Sequence, residues 1–262
     1  MRRRTVMIGT AGWSIPRELA DHFPSEGVHL ERYSKRMSCV EINSSFYRAH
    51  SFVTYKKWAS LTPPGFRFSV KLPGAITHEQ QLRRARTSLR EFLAQVSGLG
   101  QKLGPLLVQL PPSLEFNARV VRAFFAVLRE EHEGLVACEP RHASWFEPRA
   151  EGLLGRYQIS RVATDPTSIE LARTPGGWSA SHPGDRTSLA YYRLHGSPRK
   201  YWSRYPQDRI HGWADEIASL SRHVQVWCIF DNTASGAALA NAVEMQGALQ
   251  GRAQSRLIPR IK

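Results

Sequence analysis

Short apolar runs recur along the chain, and each closes on polar or charged residues: Thr5 to Thr10, Cys39 to Asn43, Phe66 to Lys71, Pro105 to Leu110, Leu135 to Glu139, Arg161 to Thr164, Leu189 to His195 and Val224 to Asp231. They read as strands. Between them apolar residues return at helical spacing. From Glu79 to Leu99, the residues Leu82, Ala85, Leu89, Phe92, Leu93, Val96 and Leu99 mark one face, while Arg83, Arg84, Arg86 and Arg90 mark the other. This predicts an amphipathic helix. Val120, Val121, Phe124, Phe125 and Leu128 predict a second, with Asn117 as its N-cap. Ile210, Trp213, Ala214, Ile217 and Leu220 predict a third, and Leu239, Ala242, Val243 and Leu249 a fourth that starts near Ser235 and Gly236. Pro166 to Ser188 mixes Pro, Gly, Ser and Thr without a period, which predicts a long irregular loop after strand six, a place where lids are found.

Strands alternating with helices in this way predict an α/β fold: a single closed (β/α)8 barrel of TIM type with parallel strands. Residues 1–262 form one domain on this reading, with a basic C-terminal tail from Arg252 to Lys262. Composition agrees, since 42% of the residues are hydrophobic and no apolar run approaches a membrane span. Met1 to Arg4 resembles the start of a signal peptide, but the apolar run after it is too short, so a cytoplasmic protein without a membrane partner is expected. Cys39, Cys138 and Cys228 lie inside apolar runs without metal-ligand spacing and read as buried, reduced, small hydrophobes.

In such a barrel the C-terminal strand ends converge on one rim. The polar residues there form the candidate site. Glu41, Lys71, Glu139, Arg193, His195 and Asp231 are the candidate catalytic groups. Trp13, Asn43, Gln109, Arg141, Asp165, Gly196, Ser197, Asn232, Ser235 and Gly236 are candidates for substrate binding. Period-two alternation puts Glu41 with Asn43, Ser69 with Lys71, Glu139 with Arg141, and Arg193 with His195 on the inner face, and turns Ile42, Val70, Cys138 and Leu194 outward. A buried Glu139 needs a partner, and Lys71, Arg193 and Arg141 are in place to supply one. Each ion also admits a purely structural role, as a bridge between strands.

Two loops look built for anions, Leu194 to Lys200 and Phe230 to Ala237, because the second opens a helix whose free amides and dipole favour negative charge. Ser235 alone reads equally well as an N-cap. Acid–base chemistry on a phosphorylated or nucleic-acid-derived substrate follows, with Glu139 or Asp231 as base, His195 as acid or proton shuttle, and Lys71 and Arg193 holding charge. Among enzyme classes this favours a hydrolase or a lyase. His78, His142 and His195 could join Glu41, Glu139 and Asp231 around a divalent metal in a phosphodiesterase, although no local pair has ligand spacing. No Walker or dinucleotide motif is present, so no nucleotide cofactor is implied.

Charge adds a third reading. A net charge of +14 suits polyanionic partners. Trp13, Phe46, Tyr47, Trp145, Tyr201, Trp202 and Tyr205 fall in rim loops beside Arg48, Arg141, Arg199, Lys200 and Arg204. Aromatic planes between cations suit stacked bases, and a nucleic-acid-binding module without catalysis is the alternative. Oligomeric state is not written in these patterns.

The motifs Ile8-Gly-Thr-Ala-Gly-Trp13, Val40-Glu-Ile-Asn-Ser-Ser-Phe-Tyr-Arg48, Phe66-Arg-Phe-Ser-Val-Lys71, Arg141-His-Ala-Ser-Trp-Phe146, Tyr192-Arg-Leu-His-Gly196 and Phe230-Asp-Asn-Thr-Ala-Ser-Gly-Ala237 occur in order along the chain. Together they resemble the YecE-like proteins, domain-of-unknown-function family seventy-two. The resemblance implies a TIM-type barrel and leaves the activity open. Cys138-Glu-Pro-Arg141 departs from it, since family members more often read Glu-Phe-Arg-His there and Pro140 separates the carboxylate from the arginine.

Overall fold

The computed structural model describes residues 6–178, 188–220 and 223–255. Strands β1 (Val6–Thr10), β2 (Cys39–Ile42), β3 (Arg67–Lys71), β4 (Leu103–Gln109) and β5 (Val136–Glu139) fall on the first five apolar runs. The sixth run is split. Val162 alone separates β6 (Ile159–Arg161) from β7 (Ala163–Asp165). A short β8 (Gly176–Gly177), then β9 (Ser188–Leu194) and β10 (Val224–Phe230), complete the strands described. The helices are α1 (His29–Ser34), α2 (Phe52–Ser60), α3 (Arg86–Val96), α4 (Ala118–Glu131), α5 (Pro148–Arg156), α6 (Gln207–Ser219) and α7 (Ala237–Ser255).

The strands form two sheets. One has the order β1-β10-β9-β7 and is parallel throughout; the other has the order β2-β3-β4-β5-β6-β8 and is parallel except for β8, which runs antiparallel to β6. The expected α/β fold with mainly parallel strands is therefore present, but as two ladders rather than one continuous closed ladder. The sheets meet at two seams. An isolated parallel bridge joins Ala11 to Glu41, with the Gly12 amide donating to the Glu41 carbonyl at 2.9 Å. At the other seam β6 pairs with β5 while β7 pairs with β9, and the Val162 amide donates to the Cys138 carbonyl at 2.8 Å.

Alternation along the strands sorts the core into two populations, as period two requires. Met7, Cys39, Leu107, Ala137, Val162, Leu189, Tyr191, Trp227 and Ile229 pack together on the inner face. Ile42, Val70, Cys138, Leu194 and their equivalents join the larger cluster beneath the helices, the outward orientation expected of them. Trp227 fills the inner space. It stacks on Tyr191 at 6.2 Å, and a Cβ at Gly104 would fall 2.5 Å from its ring, so position 104 tolerates no side chain. Cys39, Cys138 and Cys228 are free and buried.

Three expectations need correcting or narrowing. The helix read from Glu79 to Leu99 starts only at Arg86, because Gln81, Leu82 and Arg84 adopt positive φ of 50°, 67° and 51° and wind the chain into a tight turn. That turn still buries Leu82 and Ala85, the residues whose spacing suggested a helix. After strand six the described residues are more ordered than expected, with a short 3-10 turn at Glu170–Arg173 and then β8; residues 179–187 lie outside the described set. Of the basic tail, Arg252 belongs to α7 and is ion-paired with Asp215, while residues 256–262 lie outside the described set. The other helices match, with the Asn117 side chain accepting from the amides of Arg119 and Val120. Among the described residues no helix is long and apolar enough to cross a membrane.

Candidate active site

At the C-terminal ends of β2, β5, β9 and β10, the inner face changes from apolar to ionic. Arg193 is its hub. Its Nε donates to Glu41 Oε2 at 3.0 Å, Nη2 to Glu41 Oε1 at 2.7 Å and to Asp231 Oδ2 at 2.9 Å, and Nη1 to Glu139 Oε2 at 2.6 Å. The residue is 1% exposed and Glu41 is fully buried. A planar guanidinium suits this position because its fork satisfies several carboxylates at fixed angles, where a lysine would present a single point.

A second layer lies nearer the rim. His195 places Nδ1 3.0 Å from Asp231 Oδ2 and Nε2 3.2 Å from Glu139 Oε1, an arrangement that only the doubly protonated ring fills with two donated bonds. Arg141 reaches the same Glu139 Oε1 at 3.1 Å despite the intervening Pro140, and donates to the Tyr201 hydroxyl at 3.2 Å. Tyr201 closes edge-on over the His195 ring at 5.3 Å. Below the layer, the Tyr191 hydroxyl donates to Glu41 Oε2 at 2.9 Å and lies 2.8 Å from Ser69 Oγ.

The electrostatics follow from this packing. Burial alone would raise the Glu139 carboxyl, but Arg193, Arg141 and His195 hold it well below the usual carboxylate range. Asp231 is likewise lowered: burial opposes its charge, and Arg193 and His195 outweigh it. Both carboxylates are ionised and weakly basic. Lys71 behaves oppositely. Burial, reinforced by Arg193, pushes its ammonium down to about 8, against the pull of Glu41, Glu139 and Asp231. Its Nζ sits 4.0 Å from the Phe46 ring centroid and, among the described residues, has neither an ion pair nor a hydrogen bond. The expected Lys71–Glu139 pair is thus absent: Arg193 and Arg141 take the carboxylate.

More cations gather around Lys71. His78 packs edge-on against Phe46 at 4.8 Å, and its pKa is lowered first by burial, then by Lys71 and Arg141. Lys200 lies over the Tyr201 ring at 5.2 Å and is lowered by burial and by Arg141. His78 therefore lies in the fields of Lys71 and Arg141, and Lys200 in that of Arg141, so these cations follow one another along the rim.

The remaining candidates divide by the direction they face. Asn43 lies two residues after Glu41, and among the described residues its buried Oδ1 has no hydrogen-bond partner. Gln109 is buried next to Glu139 in register, with its Nε2 donating to the Leu110 carbonyl at 2.6 Å. Asp165 turns away from the inner face: it shares the side of Ala163, which packs under the helices, and pairs with Arg209 of α6 at 2.8 Å. Trp13 lies edge-on to Trp58 at 5.1 Å. Asn232 donates to the Ser203 carbonyl and to Asn241 Oδ1, tying loops together.

The two anion-loop expectations meet a more occupied structure. The Gly196 amide donates to the Tyr205 hydroxyl at 2.9 Å, and Ser197, next in the chain, is half-buried. The Ser235 hydroxyl donates to the Trp202 carbonyl, and the Gly236 amide to the Thr233 carbonyl at 3.1 Å. Gly236 has φ of 80°, and a Cβ there would lie 2.9 Å from Pro16 Cγ, so packing already explains the glycine. Carboxylates take four of the five N–H donors of Arg193, which leaves at most one Nη1 hydrogen for any other ligand. The same hub bears on the metal reading. Glu41, Glu139 and Asp231 converge on a guanidinium rather than on a cation site, and no group of three His, Cys, Asp or Glu side chains among the described residues is placed to hold a metal. Those donors do not fit a divalent ion while Arg193 lies between them.

Tyr191, Ser69 and Phe46 carry more of the site than their sequence context suggested. Tyr191 lies two residues before Arg193 and four before His195, a period-two signal that a hydroxyl amid apolar neighbours conceals.

Comparisons with known proteins place this architecture among relatives. The family profile described as "Protein of unknown function DUF72" matches residues 7–261. The UPF0759 protein YecE of Escherichia coli K12 is 29% identical over 174 residues, which cover 64% of this chain and 62% of that protein. Thus the match to that relative spans less than two thirds of its length. The UPF0759 protein YunF of Bacillus subtilis is 24% identical, with 92% of this chain and 93% of that protein covered. The crystal structure of a DUF72 family protein from Thermotoga maritima superposes with a TM-score of 0.76 at 25% identity, covering 94% of this chain and 99% of that one.

Proposed function

The chain belongs to the DUF72 family, and from that premise we propose that it is an enzyme acting by proton transfer on a small anionic substrate, such as a phosphorylated compound, at the rim formed by β2, β3, β5, β9 and β10. The arc of Lys71, His78, Arg141 and Lys200 carries the proposal. Lys71 and Arg141 repel the charge of His78, Arg141 repels that of Lys200, and an incoming anion relieves this repulsion. In the array beneath them Glu139 and Asp231 are ionised, and His195 is the acid of this reading. Lys71 is better matched than the depressed carboxylates to accept a proton near neutral pH. Arg193 then acts as a positioning residue that holds the carboxylates apart from the substrate.

The same reading includes one closed ring of strands within a single domain. Its support is the bridge between Ala11 and Glu41, the single residue between β6 and β7, and an inner cluster with members from both sheets. A cytoplasmic location accords with three free, buried thiols.

Calorimetric titration with inorganic phosphate tests the anion reading. Arg141→Ala and Lys200→Ala should each weaken binding by about ten-fold, the equivalent of one charge-assisted contact. Unchanged affinity in both variants would remove the arc from the binding site. A second reading, single-stranded nucleic acid laid across the same rim, is favoured by Trp202, which is 46% exposed and stacked by Arg199 at 4.6 Å.

A further inference from the structure

Two lysines of this chain lose exposure in different ways. Lys102 donates from Nζ to the carbonyls of Ala59 and Thr62 and to the Thr62 hydroxyl, at 2.7, 2.5 and 3.0 Å. This is how a structural lysine satisfies its three protons. Lys71 is 6% exposed and satisfies none of them with a hydrogen-bond acceptor among the described residues. Its main chain, by contrast, is fixed. The Ser45 hydroxyl donates to the Lys71 carbonyl at 2.6 Å, and Phe46, next in the chain, supports the amine at 4.0 Å while His78 and Tyr47 brace its ring at 4.8 and 5.0 Å. A held stem with an unbonded amine at a rim of acid–base groups is poor design for an ion pair and good design for a nucleophile.

We propose that Lys71 condenses with the carbonyl group of a small anionic aldehyde or ketone, an α-keto acid or a phosphorylated sugar fragment, to form an imine at Nζ. The inference rests on the rim being an anion site, as argued above, and adds the substrate's reacting group. In the first step the neutral amine forms an N–C bond, the C=O π pair moves to oxygen, that oxygen takes a proton, and nitrogen gives one up. In the second, the hydroxyl accepts another proton and leaves as water, while the nitrogen lone pair closes the C=N⁺ bond. No oxidant or reductant is needed, and the water passes to solvent. His195 is the acid for the departing oxygen, and Arg141 and Lys200 hold the substrate's anionic group. The resulting iminium draws electrons from the adjacent carbon, so that a C–H or C–C bond there can break. This is lyase chemistry.

Amine availability is set by the local field. Burial and Arg193 lower the Lys71 ammonium to about 8, so a useful fraction is neutral just above neutral pH, when exposed lysines are still charged.

The test is reductive trapping on the full chain. Protein is incubated at pH 8 with pyruvate, glyceraldehyde 3-phosphate or dihydroxyacetone phosphate, reduced with sodium cyanoborohydride, digested and mapped by mass spectrometry. Lys71 should carry roughly ten-fold more reduced adduct than any exposed lysine with at least one probe, as expected for an activated amine. Lys71→Arg should remove that adduct while leaving the other lysines as they were. An unmodified Lys71 with all three probes, or adducts spread evenly over exposed lysines, would overturn the proposal. The wild-type map decides this even if the variant fails to fold. Phosphate titration of the same preparation separates the two readings: phosphate bound without an adduct ends the imine alone, and neither result ends the anion site as well.

Discussion

Two arginine-rich neighbourhoods of this protein follow opposite rules. Around Arg193 every guanidinium nitrogen meets a carboxylate, and the whole group is out of water. Between α3 and α4, Arg83, Arg84 and Arg119 line a groove of about 1050 Å³ over Leu82, Val120 and Phe124, with no ion pair of their own among the described residues. Arg86 beside them pairs with Glu130 and Glu131 across solvent. The net charge of +14 therefore says little about the site, since the rim's inner layer is nearly balanced and much of the excess sits outside. Buried charge is organised because desolvation penalises any that is not; exposed charge escapes that discipline.

Removing the hub should give the largest effect. Arg193→Ala leaves Glu41, Glu139 and Asp231 facing one another without their common counter-charge, and loss of one partner from a buried pair costs about 3–5 kcal/mol. Arg83→Ala and Arg84→Ala should each stay within about 0.5 kcal/mol of the parent. Urea unfolding of the three variants measures both. An Arg193 variant as stable as the groove variants would show that the carboxylates find other partners, and the contrast would collapse.

Lys71 sharpens the comparison through pH. Its folded pKa of about 8 lies below its unfolded value, so the unfolded chain binds the extra proton between roughly pH 8 and 10 and stability should rise across that window. The rise amounts to about 3 kcal/mol at most, at 1.36 kcal/mol per unit. Lys71→Met should abolish it and be more stable than the parent near pH 7. A parallel pair of stability curves would mean that the amine is solvated.

How much of this was legible in the sequence depends on whether a local rule sufficed. Strand positions and the in/out sorting of Glu41, Lys71, Glu139, Arg193 and His195 follow from period two, and they appear where that rule puts them. The same rule turns Asp165 outward, because Ser160, Val162 and Thr164 keep the inner face in phase and Asp165 follows Ala163 to the side where Arg209 pairs with it. The helix at Glu79 failed because three left-handed residues reproduce helical burial without a helix. Which cation would take the centre was beyond any spacing rule. It depends on reach between strand ends, where Arg193 bridges to carboxylates at the ends of three other strands and Lys71 does not.

At the acid end the signs reverse. Glu139 and Asp231 have folded pKa values below their unfolded ones, so their contribution is fully present above the ordinary carboxylate range, near pH 4, and is lost as pH falls through the lower folded values. Asp231→Asn should cost about 1–2 kcal/mol at pH 7, since the amide keeps an acceptor for Arg193 but loses the charge. It should also flatten the acid limb between pH 4 and 2. Thermal unfolding across that range reads both effects, and an unchanged acid limb would assign acid sensitivity to other carboxylates.

The smallest effect concerns the exposed cations. With a net charge of +14 the protein should retain oligonucleotides on a column at low salt and release them steeply as salt rises. Alanine at Arg83, Arg84 and Arg119 removes three charges from the outer groove; alanine at Arg199, Lys200 and Arg204 removes three from the rim. Electrostatics alone predicts the same fall in salt slope for both, about one unit per contact actually made. The rim differs in one physical respect, because Arg199 stacks on Trp202 and Lys200 lies over Tyr201, which gives a base both a plane and a charge. If single strands use that platform, the rim variant should also lose affinity that survives at high salt, and single-stranded DNA should suffer more than duplex. Equal losses from the two variants, with no strand preference, would reduce nucleic-acid binding to diffuse surface charge and leave the rim to small anions.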